Sequence, residues 1–168
     1  MVNATGATAL TVGQSYQGGK IFWLDATGQH GLIAATNDQE TGMYWIVNYT
    51  QVTGTVGDGL YAGAMNTIMM VVAQMQSYAT DNAATLCADY SVTVDGVAYG
   101  DWYLPSRYEL GLLWTKKDVV GGFSATDRYW SSTEFDSNNA YVQLPDEYGY
   151  VYYKPKSEGY HVRAIRAF

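Results

Sequence analysis

Cysteine, histidine and charge are scarce in this sequence, and each shortage excludes a class of protein. Cys87 is the single cysteine of 168 residues, so no disulfide within the chain can stabilise the fold. The two histidines, His30 and His161, do not have metal-ligand spacing. Charged residues make up only 15% and the net charge is -7. An acidic chain poor in Lys and Arg is poorly suited to bind nucleic acid or anionic membranes.

The common signatures of catalysis and of membrane insertion are also missing. There is no Gly-x-Ser-x-Gly motif, P-loop, Gly-x-Gly-x-x-Gly turn or His-Glu-x-x-His zinc motif. No apolar run is long enough to span a bilayer. Cys87 lies on a helical stretch, where an inert buried thiol is the simplest interpretation. We therefore expect a protein that is not an enzyme, needs no cofactor or metal, and does not insert into a membrane.

Tyrosine is present in excess. The chain has 16 Tyr, 18 Gly and 5 Trp but only 4 Phe. Tyr combines an apolar ring with a polar hydroxyl, which suits a partly solvated surface. Seven of these Tyr lie between residues 129 and 161, mixed with Ser, Asn, Asp and Gly. This mixture is typical of evolved binding loops, although a Tyr-rich sheet packed on a core stays open as the alternative.

Local patterns in the first half predict a hairpin and a helix. Lys20 to Leu24 and Gly31 to Ala35 are strand-like and flank a turn. Short strand pieces are expected around 44–47. Residues 62–78 form the clearest helix, and apolar residues at helical spacing predict its buried face: Ile68, Val71, Val72 and Met75. Residues 83–88 either extend this helix or form a short second one.

The second half predicts a hairpin, a capped helix and a sheet. Residues 92–99 are expected to turn at Asp95-Gly96. Ser106 and Glu109 have the spacing of a capping box, so a helix should begin there and continue to about Thr115, burying Leu110, Leu113 and Trp114. Four candidate strands follow at regular spacing and indicate an antiparallel meander: 129–133, 140–144, 148–154 and 160–168.

Three stretches carry the motifs of a known family. They are GGKIFWLD…GQHGLIAA at 18–35, GDWYLPSRYELGLL at 100–113, and YWSSTE…GYVYYKPK…VRAIRAF at 129–168. Together they resemble the C-type-lectin-like domain of the Legionella collagen-like protein type, and in particular the variable proteins of diversity-generating retroelements. The third stretch is the most specific, whereas the first two are shared by the wider family.

The resemblance implies one α+β domain over residues 1–168. Its fold would be C-type lectin-like, of the formylglycine-generating-enzyme type, with two helices and a mainly antiparallel sheet. In such variable proteins, reverse transcription randomises adenines, chiefly in Asn codons. The altered residues lie on a solvent-facing C-terminal surface and bind a ligand. Here the variable region would be 129–168, and the motifs at 129–134 and 162–168 would be its scaffold boundaries.

The genetic code divides the residues between these boundaries into two groups. Randomising the first two bases of AAC or AAT yields every residue type except Lys, Gln, Glu, Met and Trp. Five positions therefore cannot arise from such a codon and are expected to be fixed: Gln143, Glu147, Lys154, Lys156 and Glu158. The other positions can, and twelve of them are the predicted ligand-binding residues: Phe135, Asp136, Asn138, Asn139, Tyr141, Val142, Asp146, Tyr148, Tyr150, Tyr152, Tyr153 and His161. Tyr129 and Tyr160 are assigned to the scaffold.

Two activities of related folds are not expected here. The formylglycine-generating oxidases use a pair of reactive cysteines, and this chain has only Cys87. Sugar-binding C-type lectins use a Glu-Pro-Asn or Gln-Pro-Asp calcium motif, which is absent.

The resemblance implies recognition of a protein or a surface glycan on another cell, from a virion or a cell surface. The alternatives are a fixed-specificity adhesin or glycan-binding domain of the same fold, an enzyme of the formylglycine-generating type, and a purely structural surface protein. The sequence leaves the ligand and the oligomeric state open.

Overall fold

The computed structural model describes residues 9–75, 81–144 and 151–168. Within these ranges the chain is α+β, and its sheets are mainly antiparallel. The helices are α1 (Ala62–Gln74), α2 (Ala83–Asp89), α3 (Arg107–Trp114) and α4 (Lys117–Val120). The strands are β1 (Ser15–Tyr16), β2 (Gly19–Leu24), β3 (Gly31–Ala35), β4 (Glu40–Tyr44), β5 (Val92–Val94), β6 (Val97–Tyr99), β7 (Tyr129–Glu134), β8 (Asn139–Gln143), β9 (Val151–Pro155), β10 (Gly159–Val162) and β11 (Ile165–Ala167).

Two larger sheets and one hairpin organise these strands. The first sheet has the order β1-β2-β3-β11, so the last strand pairs with the early hairpin, with Ile165 opposite Ala34. The second sheet has the order β4-β10-β7-β8-β9, which leaves β4 and β9 at its two edges. The β5–β6 hairpin turns at Asp95 and Gly96, both with positive φ. β2 and β3 are likewise antiparallel neighbours, so the predicted hairpins at 20–35 and 92–99 are both confirmed.

The C-terminal strands depart from the predicted meander. β7, β8 and β9 are antiparallel neighbours, as expected. The stretch 160–168, however, divides into β10 and β11, which belong to different sheets, and β10 runs parallel to β7. Between them the N–H of Ala164 donates to the Gln39 side chain, and the Arg163 guanidinium donates to the Ala35 carbonyl. These contacts hold the chain where it passes from one sheet to the other.

The predicted capping box of Ser106 and Glu109 begins α3. Ser106 accepts the N–H of Glu109 while Glu109 accepts the N–H of Ser106, and α3 buries Leu110, Leu113 and Trp114. Residues 83–89 form a separate helix, which begins with a second capping box between Asn82 and Thr85. The strand pieces predicted at 44–47 lie a few residues too late, because β4 is Glu40–Tyr44.

α1 is a helix as predicted, but of its predicted buried residues only Val71 packs, half-buried, against the core. Ile68 and Val72 are each 57% exposed and Met75 is 78% exposed. The buried face consists instead of Gly63, Asn66, Thr67, Met70 and Gln74. These polar side chains are accommodated by hydrogen bonds to surrounding backbone. Asn66 donates to the Gly57 carbonyl, and the Thr67 hydroxyl accepts the N–H of Leu104.

The core forms on both sides of the second sheet. One cluster contains Trp45, Met70, Trp130 and Val142, between the sheet and helices α1 and α2. The other contains Leu110, Trp114, Tyr129 and Ile165, and joins α3 to both sheets. Since α3 reaches β8 but β9 is an edge strand, the β8–β9 edge is left partly uncovered. None of the helices in the described ranges is long and apolar enough to cross a bilayer.

Candidate functional site

The exposed edge of the second sheet positions the candidate site. In the β8–β9 pair Tyr141 lies opposite Tyr153, and Val142 lies opposite Tyr152. Directly opposed residues share a face and successive residues alternate. Tyr141 and Tyr153 therefore point to the face of the sheet that carries α3, whereas Val142 points into the core.

Three aromatic rings form a continuous patch on this face, which we call the aromatic surface: Phe135, Tyr141 and Tyr153. Phe135 and Tyr153 are stacked, with ring centroids 3.9 Å apart and planes inclined by 7°. Tyr141 meets Phe135 edge to face at 5.4 Å. Phe135 is 43% exposed and Tyr153 is 52% exposed, so the pair offers a flat apolar face to solvent. Such aromatic groups are the usual anchors of binding surfaces.

Arg107 at the start of α3 extends the aromatic surface. Its guanidinium lies 4.6 Å from the centre of the Tyr141 ring, within range of a cation–π contact. The same group forms an ion pair with Asp58, whose carboxylate also accepts the N–H of Tyr108 at 2.8 Å. A shallow cavity of about 330 Å³ lies beside them, lined by Asp58, Arg107, Tyr108, Gly111, Leu112 and Thr115.

The sequence patterns did not mark Arg107, Asp58 or Tyr108 as site residues. Arg107 and Tyr108 belong to a motif that was interpreted as a helix start. Asp58 lies about fifty positions earlier, in a glycine-rich segment. The contact between these residues exists only in the folded chain, so no local signal could have identified it.

A tight turn presents the polar rim of the site. The Asp136 carboxylate accepts the N–H groups of Asn138 and Asn139, both at 2.8 Å, and the Asn139 amide at 2.9 Å. These bonds, that from the Asn138 N–H above all, lower the pKa of Asp136 below its usual value. Asp136 and Asn138 are exposed, so a fixed carboxylate and an amide stand beside the stacked rings.

A buried ion pair supports this turn from below. Lys156 Nζ lies 2.6 Å from Glu134 Oε1 and also donates to the carbonyls of Gln51 and Ser137. It lies 4.8 Å from the centre of the Trp45 ring. Glu134 in turn accepts backbone N–H groups of the segment that begins at Thr53. Both side chains are almost completely buried, so the surface stands on a rigid base.

The structure places seven of the twelve predicted ligand-binding residues at this edge: six lie on the aromatic surface or its adjoining turn, whereas Tyr152 lies on the opposite face of the edge strand, the face it shares with Val142. Phe135, Asp136, Asn138, Tyr152 and Tyr153 are exposed, and Asn139 and Tyr141 are half-buried. Asp146, Tyr148 and Tyr150 lie outside the described residues. That these side chains bind a ligand stays a prediction. Their arrangement on one sheet edge and its adjoining turn is what such a surface requires.

Two of the predicted residues do not belong to an exposed surface. Val142 is completely buried in the first core cluster, because its strand position points inward. His161 is only 8% exposed and lies in β10, beyond β7 and β8 from the edge strand. The codon argument selected both residues because it ignores the side of the sheet to which a residue points. We therefore remove them from the candidate site.

His161 belongs to a polar cluster that joins scaffold segments. Asp38 accepts hydrogen bonds from the Tyr129 hydroxyl at 3.0 Å, from His161 Nδ1 at 2.6 Å and from Arg163 Nε at 2.6 Å. The second ring nitrogen of His161 lies 3.4 Å from Asp127. Every side chain here has a partner within the fold, which indicates a structural role for this cluster.

The positions expected to be fixed are the less exposed ones. Gln143 is 1% exposed and Lys156 is completely buried. Lys154 and Glu158 are half-buried, and Glu147 lies outside the described residues. Tyr129 and Tyr160, which were assigned to the scaffold, are buried. Burial and the genetic code therefore agree at most of these positions, and Val142 and His161 are the exceptions.

The described residues contain no group of His, Cys, Asp or Glu side chains that could hold a metal ion. Cys87 is completely buried, and burial raises the pKa of its thiol. A thiol that stays protonated is a poor nucleophile. The groups at the β8–β9 edge can stack, make cation–π contacts and form hydrogen bonds.

Comparison with known proteins places the chain in a family. The Lcl C-terminal domain matches residues 34–166. A solved structure, a fimbrial protein from Bacteroides ovatus, has a similar fold with a TM-score of 0.58 and 18% sequence identity. The similarity covers 88% of this chain but only 43% of the fimbrial protein. No curated protein shows significant sequence similarity. Since the match includes most of the sequence, the chain belongs to the Lcl C-terminal domain family.

Proposed function

We propose that this chain is a non-catalytic recognition domain of a surface protein, which displays diversified side chains on a C-type lectin-like scaffold. The stacked pair of Phe135 and Tyr153 carries the proposal, because two large rings are held rigidly in solvent at a sheet edge. Exposed apolar groups in a fixed arrangement are characteristic of interaction sites. The target would be a protein or a surface glycan on another cell.

The composition of the site supports binding to varied partners. Aromatic rings give a large contact area at low entropic cost, and the adjoining Asp136 and Asn138 can adapt their hydrogen bonds. The supporting shell is different in character, since Lys156, Glu134 and Gln143 are buried. In a diversified binding protein, exposed residues are expected to vary while the buried residues that support them stay constant.

The coding sequence tests the diversification directly. We expect a near-identical, Asn-rich template of the 129–168 coding stretch beside a reverse-transcriptase gene. The template and the expressed gene should differ only at positions where the template has adenine. Differences should fall on codons of exposed residues such as Phe135 and Tyr153, and should spare Gln143 and Lys156. Sequencing of the locus decides this. If no such copy exists, the fixed-specificity adhesin of the same fold becomes the better proposal.

A display experiment tests recognition separately. One library randomises Phe135, Asp136, Asn138, Tyr141 and Tyr153, and a control library of equal size randomises exposed residues at the opposite edge, Glu40, Thr41, Tyr44, Tyr49 and Thr50. Selection against lysozyme as a model protein target should enrich binders from the first library well above the second. Equal enrichment would mean that the β8–β9 edge has no special competence for binding.

Thiol labelling tests the enzymatic alternative. A formylglycine-type oxidase needs reactive cysteine, so a native chain of that kind should react readily with a thiol reagent. We expect Cys87 to react only after unfolding in urea, because its side chain is 0% exposed. Rapid labelling of the native protein would contradict the non-catalytic proposal.

A further inference from the structure

We propose that the exposed face of α1 is a self-association surface, on which two copies of this chain pack helix against helix. The surface consists of Met65, Ile68, Val72 and Met75, called the α1 stripe below. Their exposed fractions are 60%, 57%, 57% and 78%. These are large apolar side chains in a row, and the described part of the chain does not cover them.

The spacing of the α1 stripe is that of a helix-pairing seam. The intervals of three, four and three residues from Met65 to Met75 reproduce the a and d positions of a heptad repeat. An a/d seam packs best against another helix with the same pattern. The opposite face of α1 is already used, because Met70 and Thr67 are buried against the body of the protein. α1 can therefore contact its own fold and a second helix at the same time.

A neighbouring loop enlarges the apolar area. Val52 is 66% exposed and Val56 is 74% exposed. Their loop runs along α1, since Gln51 donates to the Ala73 carbonyl and Asn66 donates to the Gly57 carbonyl. Burying the α1 stripe and both valines in two copies would remove on the order of 1,000 Å² from water, near the lower limit for a specific interface. The expected dimer is therefore weak.

The distribution of charge favours a second copy as the occupant. The chain carries a net charge of -7, which opposes association between most of its surfaces. α1 contains no Asp, Glu, Lys or Arg, so two copies can meet there without repulsion between like charges at the seam. Among the other described helices, α2 exposes no large apolar residue, α3 exposes Tyr108 and α4 exposes Val119. None of these helices exposes a row of apolar side chains that could pack against the α1 stripe, whereas α1 of a second copy does.

Sedimentation velocity over a concentration series tests this proposal. The wild-type mass should rise from one chain toward two as the concentration increases, and the double variant Ile68→Glu, Val72→Glu should stay at one chain. Val97→Glu is the matched control, because Val97 is an equally accessible valine of the β5–β6 hairpin, 51% exposed. It should associate like the wild type.

Circular dichroism melting confirms that each variant is folded. If the double variant does not fold, the single variant Met75→Glu replaces it, because that side chain is the most exposed of the α1 stripe. A wild-type chain that stays monomeric throughout the series overturns the proposal. So does a folded stripe variant that associates as strongly as the wild type. Neither result bears on ligand binding, because the aromatic surface contains none of these residues.

Discussion

Lys156 and Glu134 form a buried ion pair, 2.6 Å from Nζ to Oε1, between the end of β7 and the residue that follows β9. The turn that carries Phe135 and Asp136 begins immediately after Glu134. The strand that carries Tyr153 ends immediately before Lys156. The pair therefore fixes the two segments whose rings stack on the surface.

Removing one partner of this pair should cost more stability than removing both. Lys156→Met leaves the Glu134 charge buried and unpaired, which we expect to cost about 3–5 kcal/mol. The double variant Lys156→Met, Glu134→Gln removes both charges of the pair, so its loss should be smaller than that of Lys156→Met alone. Urea unfolding of the wild type, the single variants and the double variant measures the coupling. Additive losses would mean that the two groups do not depend on each other.

The rings of the aromatic surface should be dispensable for folding. Phe135→Ala and Tyr153→Ala are each expected to lower the free energy of unfolding by about 1 kcal/mol or less, because a stacked pair in solvent contributes little. Tyr129→Ala is the contrasting variant, since Tyr129 is completely buried, and it should cost about 3–5 kcal/mol. Thermal or urea unfolding compares the three. Similar losses for all of them would favour a Tyr-rich sheet that serves only as structure.

Substitution of Ala for two glycines, Gly63 and Gly111, should change the free energy of unfolding in opposite directions. A Cβ on Gly63 would lie 2.6 Å from both Glu109 Oε2 and the Leu104 carbonyl oxygen, so Gly63→Ala should destabilise the protein by about 1–3 kcal/mol. A Cβ on Gly111 in α3 would meet no atom within 4 Å. Gly111→Ala should therefore stabilise the helix, by up to about 1 kcal/mol. Unfolding midpoints measure both changes, and destabilisation by Gly111→Ala would contradict the open space beside α3.

Stability should decrease at alkaline pH, and Tyr129 should account for part of the decrease. Burial, together with the nearby Asp38 carboxylate, raises the pKa of Tyr129 to about 12, whereas tyrosines of an unfolded chain ionise at about pH 10. The folded protein then holds a proton that the unfolded chain releases. The contribution of this group is complete below about pH 10 and is lost as the pH rises toward 12.

Unfolding measured from pH 9 to pH 12 tests this expectation against Tyr129→Phe. The variant lacks the ionisable hydroxyl, so its stability should fall less steeply over that range than the stability of the wild type. Tyr160, whose pKa burial also raises to about 12, is present in both proteins and does not affect the comparison. Identical pH profiles would show that the Tyr129 hydroxyl titrates alike in the folded and unfolded chain.

Local signals in the sequence were sufficient for several elements. The capping box of Ser106 and Glu109 predicted the start of α3, and the turn at Asp95-Gly96 predicted the β5–β6 hairpin. These succeed because the interactions that define them join residues a few positions apart. The genetic code likewise separated Lys156 and Gln143 from their neighbours, and both proved to be buried.

Other features were decided by contacts between distant segments. The apolar pattern of α1 predicted its helix but not its buried face, because Asn66 and Thr67 find hydrogen-bond partners in other parts of the chain. Arg107 joins the aromatic surface only because folding brings Tyr141 and Asp58 to it.

The sequence by itself therefore determined the family, most of the elements and the region of the proposed binding surface. Only the tertiary structure decided which side of the sheet each residue faces, since that depends on register and packing. Val142 and Tyr153 illustrate the difference: the genetic code does not distinguish them, yet the sheet buries one and exposes the other.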